Sequence, residues 1–194
     1  MAKEKLLFVD GCISTHESRT KRLCDAYIER FLEKHPEVSL ETFMVREGNV
    51  MPFTEERLKE RDSFVVKKDF DGEMFDIARQ FKEADYIVIG APYWDLSFPS
   101  LVKVYVENVV VADLTFKATS RGFEGLCKGK ELVYITTAGG FIGEKNFGYQ
   151  YFQGLAGMLG LENTRFYGAE ALDIEGFDAE AIVEEKIEEI KKSL

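Results

Sequence analysis

Three stretches of the sequence gather residue types suited to holding a small charged molecule. The first is Asp10-Gly11-Cys12-Ile13-Ser14-Thr15-His16-Glu17-Ser18-Arg19, with hydroxyls at Ser14, Thr15 and Ser18 just ahead of a helical pattern. A helix start carries unpaired N–H groups and a partial positive charge, which suits a phosphate. Ser18 is equally well placed as an N-cap, a purely structural job. The stretch lacks the Gly-Lys-Ser/Thr ending of a triphosphate-binding loop and the GxGxxG spacing of a dinucleotide loop, which disfavours both ligands. The second stretch is Gly90-Ala91-Pro92-Tyr93-Trp94-Asp95-Leu96-Ser97-Phe98-Pro99, which contains the single tryptophan. Its aromatic residues either wall a flat ring or simply pack. The third is Thr136-Thr137-Ala138-Gly139-Gly140-Phe141-Ile142-Gly143. Its paired glycines allow close backbone approach to a ligand, or make a tight turn.

The elements that must position these stretches follow from apolar periodicity. Leu6-Leu7-Phe8-Val9 is a strand-length apolar run, and Leu23, Ala26, Tyr27, Phe31 and Leu32 recur at helical spacing until His35-Pro36. Residues 38–45 alternate as a strand, with Val38, Leu40, Thr42 and Met44 on one face and Phe43 and Val45 on the other. Residues 46–68 are the least patterned, and Pro52-Phe53-Thr54 suggests a loop and then a short capped helix. A helix over 75–81 precedes Tyr86-Ile87-Val88-Ile89, a continuous apolar run suited to a central parallel strand. Helices over 99–109, 151–161 and 179–194 alternate with strands over 132–136 and 164–167. The alternation predicts one α/β domain over residues 1–194, with a parallel sheet covered on both faces. In such a sheet ligands bind beyond the carboxyl ends of the strands. The three stretches follow the first, third and fourth predicted strands, where they would together suit a phosphate joined to a planar heteroaromatic ring such as FMN.

Bulk properties narrow the partners. The formal net charge of -10 opposes binding to nucleic acid or an anionic membrane surface. Glu180, Glu184, Glu185, Glu188 and Glu189 read as a solvated helix face. No apolar stretch approaches the roughly 18 residues of a membrane span. Three cysteines without metal-ligand spacing fit a reduced compartment, so a cytoplasmic location is expected. Only two histidines, His16 and His35, are present, so neither a nucleophilic triad nor a metal site is suggested.

At these residues the sequence resembles the FMN-dependent NADH-azoreductase family, flavodoxin-like quinone and azo-dye reductases related to NAD(P)H:quinone oxidoreductases. Ala91-Pro92-Tyr93-Trp94-Asp95-Leu96 is similar to the family's Ala-Pro-Met-Tyr-Asn-Phe segment, and Thr137-Ala138-Gly139-Gly140 stands where Ser-Arg-Gly-Gly is common. Thr115-Phe116-Lys117-Ala118-Thr119, Gly122-Phe123-Glu124-Gly125-Leu126 and Gly129-Lys130 resemble the connection before its fourth strand, and Glu17-Ser18 its phosphate loop. The resemblance implies a flavodoxin-like three-layer sandwich with strand order 2-1-3-4-5. It implies FMN held by Cys12, His16, Glu17 and Ser18, by Pro92, Tyr93, Trp94, Asp95 and Leu96, and by Thr137, Ala138, Gly139 and Gly140. The reaction would occur at flavin N5 without a catalytic side chain, by a ping-pong cycle. NADH or NADPH would be the reductant, a quinone, azo or nitroaromatic compound the acceptor, and the protein a homodimer. Three residues depart from the pattern: Cys12 replaces Ser, Asp95 replaces Asn, and Ala138 replaces Arg. Two alternatives remain open at this level: a one-electron carrier, or a flavin-free module of the same fold.

Overall fold

The five strand-length runs form one parallel sheet. The computed structural model describes residues 3–14, 18–48 and 50–194. In chain order the elements are β1 (Lys5–Asp10), α1 (Arg19–Lys34), β2 (Ser39–Met44), α2 (Glu55–Lys67), a 3-10 turn (Glu73–Phe75), α3 (Asp76–Glu83), β3 (Tyr86–Gly90) and α4 (Ser100–Val109), then β4 (Phe116–Thr119), β5 (Gly122–Gly125), β6 (Glu131–Thr137), α5 (Phe147–Leu159), β7 (Asn163–Ala169) and α6 (Ala179–Ser193). The sheet order is β2-β1-β3-β6-β7, with every neighbouring pair parallel. Counting these five strands alone, this is the expected 2-1-3-4-5 order.

Alternating side chains create two cores. Leu7 and Val9 face Ile87, Ile89 and Tyr105 under the α3, α4 and α5 side. Leu6 and Phe8 face the opposite side, where Leu23, Tyr27 and Val183 of α1 and α6 pack. β3 is covered on both faces, with Ile87, Val88 and Ile89 fully buried, which explains its uninterrupted apolar run. β2 is an edge strand: Phe43 packs on Tyr105, whereas Leu40 and Met44 remain exposed.

Three local readings needed correction. A hairpin, β4–β5, interrupts the connection before β6 and pairs Phe116 with Gly125. Its strands are four residues each and contain no apolar run, so periodicity gave no signal. α5 begins at Phe147, where the Asn146 side chain accepts from the Tyr149 N–H at 3.0 Å, four residues before the expected start. It ends at Leu159 because Gly160 takes a left-handed φ of 85°.

The hairpin touches α5 with no room for a side chain. A Cβ on Gly125 would lie 2.0 Å from the Leu159 carbonyl carbon and 2.1 Å from the Gly160 nitrogen. Gly125→Ala should therefore lower stability by about 2 kcal/mol, read as a lower denaturant midpoint. Gly157→Ala on the open face of the same helix, where a Cβ meets nothing within 4 Å, should raise it by about 0.5–1 kcal/mol. Equal midpoints for both variants would contradict the close contact.

Candidate functional site

Register brings the three stretches together. Asp10 at the end of β1 pairs with Gly90 at the end of β3, and Gly90 pairs with Ile135 of β6. The following loops therefore leave the sheet side by side at one edge. They are also bonded to each other. The Gly11 N–H donates to the Gly90 carbonyl at 2.7 Å, and the Tyr93 N–H to the Thr137 carbonyl at 2.9 Å. The Thr136 hydroxyl donates to the Ala91 carbonyl at 2.7 Å, and the hydroxyls of Thr20 and Thr137 share a hydrogen bond of 2.6 Å.

In the first loop, Gly11 is required. A Cβ there would come within 2.6 Å of Val102 and 2.9 Å of the Gly90 carbonyl oxygen. Cys12 is 3 % exposed, and burial pushes its thiol up to about 12, so it is a neutral packing group and not a nucleophile. Ser18 caps α1, its Oγ accepting from the Lys21 N–H at 3.3 Å. Thr15, His16 and Glu17 lie outside the described residues, so the expected roles of His16 and Glu17 stay expectations. Arg19, on the first turn of α1, adds a cation; its guanidinium pairs with Asp173 at 3.1 Å.

The second loop makes a tight turn. Trp94 and Ser97 exchange hydrogen bonds of 3.2 and 2.8 Å across Asp95 and Leu96, whose φ angles are 48° and 68°. A left-handed leucine is uncommon and costs of order 1–3 kcal/mol, a strain found most often at ligand sites. The turn leaves Trp94 half-exposed and Leu96 exposed beside the partly buried Pro92 and Tyr93. The Tyr93 hydroxyl donates to the Lys145 carbonyl at 2.9 Å, tying this loop to the segment before α5.

The third loop directs its backbone in one sense. The carbonyls of Ala138, Gly139 and Gly140 accept from the N–H groups of Leu172, Asp173 and Ala171 at 3.1, 2.9 and 2.9 Å. In a trans peptide the N–H points opposite to the C=O. The N–H groups of Gly139, Gly140 and Phe141 therefore point away from the segment after β7, and they have no acceptor among the described residues. Ala138 is buried, and Gly139 cannot carry a Cβ, which would sit 2.3 Å from a carboxylate oxygen of Asp173. Around Gly140 a Cβ would meet nothing within 4 Å. Phe141, mostly exposed, stacks edge-on against Phe177 at 6.0 Å beside this opening.

These features fit FMN. Three consecutive N–H groups without an acceptor among the described residues match an electron-rich ring edge, and exposed Trp94, Leu96 and Phe141 offer an apolar rim to a flat ring. The start of α1 with Arg19 suits a phosphate. Several of these residues escaped the sequence reading. Arg19 closes the first stretch without a role of its own there, and Thr20 lies one residue further into the helix, so the signal for both was present. Asp173 and Glu170, which receives the Ile142 N–H at 2.7 Å, lie in and just before a segment after β7 with no motif.

An apolar groove of about 660 Å³ lies elsewhere, between α2, α4 and α5, lined among others by Phe53, Leu58, Val106, Tyr151, Leu155 and Met158. Tyr151 there meets Phe98 edge-on, with ring centroids 5.4 Å apart, at the end of the second loop, so the groove adjoins the three-loop edge. Arg61, Lys103, Glu107 and Gln150 also line it, and this mixture of apolar side chains with a few charged ones suits a protein surface.

Comparison with known proteins agrees with this architecture. The family model described as flavodoxin-like fold matches residues 4–194. The chain is 36 % identical over 183 residues to a Clostridium acetobutylicum protein named FMN-dependent NADH:quinone oxidoreductase 2, covering 90 % of each. It is 31 % identical over 182 residues to a Clostridium beijerinckii protein named FMN-dependent NADH:quinone oxidoreductase, covering 91 % of this chain and 90 % of that one. Among solved structures, an azoreductase from Bacillus anthracis superposes with a TM-score of 0.83 over 98 % of both chains at 23 % identity. A second B. anthracis structure, an FMN-dependent NADH-azoreductase in complex with FMN, gives 0.84 over 98 % and 97 % at 20 % identity; likeness at this level carries the fold. With the family match running almost end to end and the clostridial relatives covered over nine-tenths of their length, the chain belongs to the flavodoxin-like fold family that includes these NADH:quinone oxidoreductases.

Proposed function

We propose that this protein is an FMN-dependent oxidoreductase that takes reducing equivalents from NADH or NADPH and delivers them to a quinone, azo or nitroaromatic acceptor. The observation that carries the reading is the run of N–H groups at Gly139, Gly140 and Phe141 that have no acceptor among the described residues, at the edge where the Tyr93 N–H bonds Thr137 and the Gly11 N–H bonds Gly90. The names of the clostridial relatives support the cofactor, the reductant and the quinone; the name of the B. anthracis structures supports the azo acceptor.

FMN, when bound, supplies the hydride chemistry. The chain's residues bind and orient. The first turn of α1, with Ser18 and Arg19, receives the phosphate. Tyr93, Trp94 and Leu96 would hold the ring, and Pro92 fixes the loop entry. Asp95 can only accept a hydrogen bond, so it favours a ring N–H over a carbonyl. The N–H groups of Gly139 and Gly140 would hold the ring edge and favour a negative charge there. Reductant and acceptor would enter the same site in turn, the order of a ping-pong cycle. The apolar groove between α2, α4 and α5 is the surface that a second copy covers, so the protein works as a homodimer. The acidic balance is consistent with a cytoplasmic enzyme without nucleic-acid or membrane partners.

The single tryptophan reports on this directly. Adding FMN to the purified protein should quench Trp94 fluorescence with a saturating curve, and anaerobic NADH or NADPH should then bleach the yellow absorbance, restored by a quinone. Gly140→Val, which meets no internal clash, should fold normally and weaken FMN by at least about tenfold, since the ring edge needs that space. No quenching, no bleaching by either nucleotide, or unchanged affinity in Gly140→Val would defeat the reading. Light scattering should give a dimer, and Leu58→Glu, at an exposed position of the groove, should give a monomer; an active wild-type monomer would contradict the dimer.

A further inference from the structure

The segment after β2 reaches the phosphate loop from behind. Asp10, the last residue of β1, is 2 % exposed. One carboxylate oxygen accepts the Cys12 N–H at 3.0 Å, and the other lies 3.6 Å from Nη1 of Arg46. The same Nη1 donates to the Cys12 carbonyl at 3.2 Å. Glu47 holds the solvent side of the guanidinium at 3.1 Å. None of these contacts serves the sheet, whose ladder at this point is closed by the Val45 N–H donating to the Asp10 carbonyl at 2.9 Å.

A buried carboxylate beside an anion site is unfavourable twice. It loses its hydration, and it repels an incoming phosphate. It also occupies the Cys12 N–H, which an anion would otherwise use. Arg46 answers both problems with one group. It supplies the opposite charge, and by drawing the Cys12 carbonyl toward itself it fixes the Cys12–Ile13 peptide. The Ile13 N–H then points the other way, and it has no acceptor among the described residues.

We propose that Arg46 is a positioning residue for the cofactor phosphate: it cancels the Asp10 charge and holds the Ile13 N–H turned toward the phosphate without touching it. The proposal rests on the reading that the first loop receives FMN. It predicts an effect confined to ligands that carry the phosphate, which a merely structural arginine would not show.

The test is a titration of the wild-type protein, Arg46→Met, Asp10→Asn and the double variant with FMN and with riboflavin, followed by Trp94 fluorescence. Asparagine keeps an acceptor for the Cys12 N–H and removes the charge. Arg46→Met should weaken FMN roughly thirtyfold while riboflavin changes less than about threefold. Asp10→Asn should bind FMN at least as tightly as wild type. The double variant should recover most of the loss but stay severalfold weaker than Asp10→Asn, because the peptide is no longer held. Wild-type affinity in Arg46→Met, equal losses for FMN and riboflavin, or no recovery in the double variant would overturn the proposal. If Arg46→Met does not fold, the double variant against Asp10→Asn decides it, and equal FMN affinity overturns it. A wild-type protein that ignores FMN overturns the reading of the site itself; wild-type binding without this pattern overturns the role of Arg46 alone.

Discussion

The constraint on which the rest depends is the in-phase parallel pairing of β1, β3 and β6. Because Asp10, Gly90 and Ile135 lie in one row, the three chains must turn out of the sheet at the same level. A one-residue slip in any of these pairings would exchange core and solvent faces along that strand. The register is held from both sides, since Leu7 and Val9 belong to one core and Leu6 and Phe8 to the other. The site is therefore a consequence of packing far from it. The hydrogen bonds from Gly11 to Gly90 and from Tyr93 to Thr137 then lock loop to loop.

Given that edge, each loop contributes a different property. The loop after β1 offers the start of α1, a cation on its first turn and a buried carboxylate balanced by Arg46 from the segment after β2. The loop after β3 spends conformational strain at Asp95 and Leu96 to leave Trp94 outward. The loop after β6 has the carbonyls of Ala138, Gly139 and Gly140 taken by residues 171–173, and the N–H groups of Gly139, Gly140 and Phe141 have no acceptor among the described residues. Asp173 joins two of these parts, since its N–H bonds Gly139 while its carboxylate pairs with Arg19. The common feature is that donors are oriented before any ligand arrives, so little reorganisation opposes binding.

Much of this was legible in the residues. The buried run at 86–89 and the alternating helical segments announced a parallel sheet, and the sheet rule then nominated the loops. Ser18 as a cap could be read because capping is local in sequence. What was missed depends on distant partners. The hairpin over 116–125 has glycines where strands usually show apolar alternation, and its place is set by α5 packing on Gly125. Arg46 sits in the least patterned stretch, and its meaning comes from Asp10, 36 positions away in sequence and adjacent only through β1–β2 pairing. The exposed Leu40 and Met44 follow from β2 lying at the edge, which one-dimensional alternation does not reveal.

The central claim is that three separate loops hold one flat, phosphorylated molecule. Backbone amide NMR during a titration with FMN addresses it most directly. The account predicts that the signals of Ile13, Trp94, Gly139 and Gly140 move together along a single saturation curve, while those at the opposite end of the sheet, such as Lys5 and Tyr86, stay still. Changes confined to the α2–α4–α5 groove, or separate curves for the three loops, would contradict it.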